Sequence, residues 1–140
     1  MEVIRIGALE IRFLLEKQST HGSLDMFELT VPAGARVPLA HFHESWEETV
    51  YGLAGQMVWT VNGKEIITGP GDCIFIPRGA VHHFINRGTE TAKALSVLTP
   101  GVLGAAYFHE LAALIGPGGP PDPALVTEVM LRHGLVPVPG

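Results

Sequence analysis

Turn-forming residues recur so closely through the first hundred positions that the segments between them read as short strands. Asn62-Gly63 separates Met57–Val61 from Lys64–Thr68, two runs rich in β-branched side chains. A two-residue Asn-Gly connection favours positive φ and is a strong short-range hairpin signal. Gly69-Pro70-Gly71-Asp72 forms another turn, and Pro77 and Gly79 punctuate the chain again before His82. Between such breaks lie the predicted strands Leu9–Glu16, Leu24–Val31, Arg36–His43, Glu48–Leu53, Gln56–Val61, Lys64–Thr68, Asp72–Ile76, His82–Asn86 and Thr91–Thr99. Many short strands at roughly even spacing imply a sandwich or a barrel.

After Pro100-Gly101 the period changes. Leu103, Tyr107, Leu111 and Leu114 recur near helical spacing, with Phe108 and Ile115 widening the apolar stripe. The stripe predicts a helix over 103–115 that packs on the barrel, ended by the Gly/Pro run at 116–121. Asp122 is placed to cap a second helix with Pro123 at its first position, and Gly134 to stop it. The expected organisation is a β-barrel over 1–100 and a helical extension over 101–140 packed upon it, one domain overall.

The chemistry is concentrated in His41, His43, Glu48 and His82. Side chains at i and i+2 of a strand share a face, about 6.5–7 Å apart, so His41 and His43 can lean toward one ion. Glu48 follows after room for a turn and a return strand, and His82 arrives on a later hairpin. Three imidazoles and one carboxylate suit a single divalent Fe, Mn, Ni, Zn, Co or Cu ion, and six-coordination would leave two positions open. Glu44 and Glu47 flank Glu48 and are alternative ligands or bases. His83 should face away from the ion, and His21, His109 and His133 are unpatterned surface candidates. Met57, Trp59, Phe84 and Asn86 are candidate cavity walls by strand alternation.

These residues resemble the cupin family. Its first motif, G-x5-H-x-H-x3,4-E-x6-G, is met by Gly34, His41, His43, Glu48 and Gly55, with one extra residue before His41. Its second, G-x5-P-x-G-x2-H-x3-N, is met at every position by Gly71, Pro77, Gly79, His82 and Asn86. The resemblance covers 34–86 and implies an all-β jelly roll, here with two C-terminal helices. It also implies His41, His43, Glu48 and His82 as ligands of one metal ion; beside such an ion Glu48, or Glu44, is placed to act as the catalytic proton carrier. The tail is similar to that of small quercetin-dioxygenase-like bacterial cupins. The activity implied is a dioxygenase-like reaction on a small phenolic, enolic or carboxylic substrate. The alternatives are a redox-inert metal isomerase or lyase, or a non-catalytic binder of a small ligand. By analogy a homodimer is expected, and Leu9–Glu16 is a candidate for strand exchange between subunits.

Composition narrows the partners. A net charge of −5 with scattered Lys and Arg gives no basic face for nucleic acid. No apolar run reaches the length of a membrane span, and the N-terminus lacks a signal peptide's features. The single cysteine, Cys73, cannot form an internal disulfide, which predicts a cytoplasmic protein. Its apolar neighbours predict that Cys73 is a small buried hydrophobe.

Overall fold

The computed structural model describes residues 2–37, 39–116 and 121–139. Alternating burial generates the strands: β1 (Val3–Ile6), β2 (Leu9–Leu15), β3 (Asp25–Val31), β4 (His41–His43), β5 (Glu47–Ala54), β6 (Met57–Val61), β7 (Lys64–Thr68), β8 (Cys73–Ile76), β9 (His82–Ile85) and β10 (Ala92–Thr99). Two helices, α1 (Ala106–Leu114) and α2 (Pro123–Arg132), precede a last strand, β11 (Leu135–Pro137). Among the described residues one sheet runs β1-β2-β3-β10-β5-β8 and the other β11-β4-β9-β6-β7. All their pairings are antiparallel. The two sheets form the expected jelly roll.

Local chemistry explains the main turns. Asn62 and Gly63 adopt φ of 49° and 81°, the doubly positive connection predicted for the β6–β7 hairpin. On β10 the inward positions Ala92, Ala94 and Leu98 are buried, and Ser96 is buried among them. The interior below this layer is aromatic: Phe13, Phe27 and Phe108 stand 5.2–5.6 Å apart by ring centroid. Phe108 brings α1 onto the barrel, with Tyr107 and Leu111 buried beside it.

Several expectations need adjustment. The predicted strand Arg36–His43 is a strand only at His41–His43, with Arg36 in an isolated bridge to Ile85; Pro38 lies outside the described residues. β1 was not predicted, and it pairs with β2 on the side opposite β3. Helix α1 begins at Ala106, three residues later than its apolar period suggests. The preceding backbone is held elsewhere: Gly104 N–H donates to Asp25 Oδ2 at 3.0 Å and Ala105 N–H to Glu16 Oε1 at 2.9 Å. Asp122 caps α2 as predicted, accepting from Ala124 N–H at 2.9 Å. The C-terminal segment supplies more than helices, since β11 pairs with β4. Cys73 is exposed rather than buried, because β8 is an edge strand and only its Ile76 is buried. No helix among the described residues is long and apolar enough to cross a membrane.

Candidate metal centre

Register brings the predicted residues together from both sheets. His41 pairs directly with His82 across β4 and β9. His43 lies two residues along the same face of β4, whose other edge is held by Leu135 and Pro137 of β11. The chain then crosses to the opposite sheet, where Glu48 of β5 pairs with Leu98 of β10 and Ile76 of β8. The turn that delivers His82 is stapled to the site: Gly79, at φ 79°, donates its N–H to the His43 carbonyl at 2.8 Å. A side chain at Gly79 would be strained in that left-handed conformation.

The histidine tautomers follow from their partners. Each Nδ1 lies 2.9 Å from a backbone carbonyl: Leu39 for His41, Trp46 for His43 and Ala80 for His82. A carbonyl oxygen only accepts, so each Nδ1 carries the proton and each neutral ring keeps its lone pair on Nε2. Burial lowers the His41 pKa to about 4, helped by the adjacent His82. Burial likewise lowers His82, against the opposing pull of Glu48 and of the Ala80 carbonyl. Both rings are therefore neutral at neutral pH.

The result is a set of lone pairs facing one another. His43 Nε2 and His82 Nε2 lie 3.5 and 3.7 Å from Glu48 Oε1. The ligand atoms of His43, Glu48 and His82 all fall within 4.8 Å of one another. His43 is 2% exposed, and its Nε2 has no hydrogen-bond partner among the described residues. A buried ring nitrogen left without a hydrogen-bond partner beside a carboxylate is costly unless a cation stands between them. The donor set therefore fits a metal ion. His41 stands outside this tight group, its ring 4.6 Å from His82 and 6.2 Å from His43.

Two supporting residues escaped the sequence reading. Trp46 stacks on His43 at 4.6 Å and 18° while its carbonyl accepts the Nδ1 proton, so it fixes both tilt and tautomer. Ser96 Oγ lies 3.3 Å from Glu48 Oε2, to which it donates. A lone serine on the inward face of apolar β10 was the available signal. Of the flanking acids, Glu47 pairs with Arg78 and Glu44 is exposed. Trp59 and Phe84 line the cavity beside the histidines, as does part of His83. Asn86 instead holds backbone, donating to the Val31 and Glu90 carbonyls. Neither it nor Met57 is a cavity wall. His21 and His109 are exposed, the latter paired with Glu2, whereas His133 is half-buried and bonded to Glu110. The cavity measures about 90 Å³ and is roofed by apolar side chains of both helices, among them Leu111, Val126 and Met130.

The family profile described as "Cupin domain" matches residues 27–98. A quercetin 2,3-dioxygenase of Bacillus subtilis is 33% identical over 100 residues, 71% of this chain but only 29% of that protein. An oxalate-binding protein of Thermotoga maritima is 33% identical over 93 residues, 66% of this chain and 76% of that protein. Among solved structures, a predicted oxalate decarboxylase from Thermotoga maritima superposes with a TM-score of 0.63 at 30% identity. That match covers 66% of this chain and 80% of the other.

Proposed function

The chain belongs to the cupin family, and from that premise we propose that it is a metal-dependent, dioxygenase-like enzyme acting on a short enolic or carboxylic substrate. One divalent Fe, Mn, Ni, Zn, Co or Cu ion is held by His43, Glu48 and His82, with His41 as fourth ligand. The observation that carries this reading is the 3.5 Å approach to Glu48 Oε1 of a buried His43 Nε2 that has no hydrogen-bond partner among the described residues. When bound, such an ion supplies Lewis-acid or redox chemistry.

The chain's own residues do the rest. Glu48 takes a proton from an enolisable or hydroxyl-bearing ligand, while Ser96 fixes its second oxygen. The apolar roof excludes water. An apolar cavity of about 150 Å³ admits benzene, so a cavity near 90 Å³ favours a ligand smaller than a flavonol. A second reading, non-catalytic capture of a short carboxylate, is supported by the likeness to an oxalate-binding protein across most of that protein's length. We also propose a homodimer, supported by the exposed apolar side chains Tyr51, Leu53 and Phe75 on β5 and β8, and a reducing, cytoplasmic setting for the lone Cys73.

The test is elemental analysis of protein purified without an affinity metal, followed by oxygen consumption with short 2-oxo and enolic acids. About one ion per chain and oxygen uptake are expected. Failure to bind any divalent ion on titration overturns the metal reading. Ligand-induced thermal stabilisation without product turns the assignment to the binding module.

A further inference from the structure

A second buried polar atom, on a residue that borders the cavity, has no partner among the described residues. Trp59 lines the cavity and is 1% exposed, yet its indole Nε1 meets no acceptor among the described residues. Buried indole N–H groups ordinarily find one, because stripping a donor of water without replacement is destabilising. The neighbouring ring does not supply an oxygen: Phe84 lies 5.0 Å away, tilted by 47°. Trp59 can donate and never accept. It therefore complements the lone-pair cluster of His43, Glu48 and His82.

Register places the two features side by side. Trp59 of β6 pairs with Phe84 of β9, and His82 lies two residues before Phe84 on the same inward face. Trp59 and His82 are thus diagonal neighbours, with backbones about 7–8 Å apart. Side chains so placed on one face can meet the same short molecule, one that carries oxygen atoms at both ends. An apolar molecule leaves the indole N–H unpaired, and a site with a buried donor discriminates strongly against such a ligand.

We propose that Trp59 is the specificity-determining residue of the cavity, donating its indole N–H to one oxygen of a short bifunctional acid whose other oxygen faces the metal ligands. The ligand class is a dicarboxylate or a 2-oxo or 2-hydroxy acid. This inference rests on the metal reading above.

The test uses ¹⁵N-labelled, zinc-loaded protein, in which the two tryptophans give two indole cross-peaks. Oxalate, pyruvate and acetate are titrated in turn, and Trp59→Phe or Trp46→Phe assigns the signals. A downfield shift of the Trp59 cross-peak with oxalate or pyruvate is expected, larger than with acetate. Trp59→Phe should keep its zinc affinity and bind that acid roughly tenfold or more weakly, the worth of one charge-assisted hydrogen bond. If zinc binds and none of the three acids moves the Trp59 signal, the inference is overturned and the metal site stands. If zinc itself does not bind, the metal reading falls first.

Discussion

Two pairs of polar side chains are buried to the same depth in this barrel and behave oppositely. Asp25 and Asn86, both 0% exposed, are surrounded by backbone partners. Asp25 accepts from Lys17 N–H at 2.8 Å and Gly104 N–H at 3.0 Å, and Asn86 donates to two carbonyls and accepts from Gly88 N–H at 2.9 Å. His43 and Trp59, 2% and 1% exposed, each keep one atom unpaired. The first pair ties loops to the barrel, one at the base of the helical cap and one at the β9–β10 turn. The second pair borders the cavity. Burial alone does not distinguish a structural polar residue from a functional one; the partner inventory does.

The largest effect on folding should come from the saturated pair. Asp25→Ala strands two backbone donors in a buried setting, each bonded to an Asp25 side-chain oxygen in the native state. A loss of about 3 kcal/mol or more is expected, measured by urea unfolding, with the zinc affinity of the folded protein unchanged. A loss below about 1 kcal/mol would break the contrast.

His43→Phe should show the opposite profile. It removes an orphan acceptor and one hydrogen bond to the Trp46 carbonyl while keeping an aromatic ring for the Trp46 stack. Metal-free stability should fall by about 1 kcal/mol. Zinc affinity should fall more than about a hundredfold, beyond what loss of an outer partner costs. Isothermal titration and chemical denaturation read the two quantities separately, and a preserved affinity would remove His43 from the ligand set.

How far these features were legible in the chain depends on whether they are local. The Asn62-Gly63 hairpin, the Asp122 cap and the Gly79 turn are set by neighbouring residues, and each matches its expected conformation. β1 and β11 are short and gain their identity only by pairing with β2 and β4. Cys73 was misread because Cys-Ile-Phe-Ile is apolar throughout, whereas exposure at an edge strand is decided by the strands that do not cover it. Trp46, Ser96 and Trp59 depend on register across strands or on one turn's geometry. A stacked ring, a diagonal serine and an unpaired indole leave almost no mark on a linear pattern. His41 illustrates the same limit: its spacing placed it beside His43, but its ring lies nearer His82, at 4.6 Å, than His43, at 6.2 Å.

The smallest expected effect lies on the outside of the cap, where polar partners are plentiful and exposed. Glu110 of α1 bonds Arg132 and His133 at the end of α2, and these hydrogen bonds, that of Arg132 first, hold its carboxyl below the ordinary value of 4.5. A depressed carboxylate pKa means that the folded state binds its proton less readily than the unfolded chain. The stabilisation is therefore fully present above pH 4.5 and is lost as pH falls below it toward the lowered value. Glu110→Gln should lower the melting temperature slightly at neutral pH and flatten the melting curve's decline in that acid window. Because water screens these groups, the shift should be far smaller than for Asp25→Ala. A shift of equal size would mean that the exposed helix–helix latch, rather than buried backbone saturation, carries the stability of the cap.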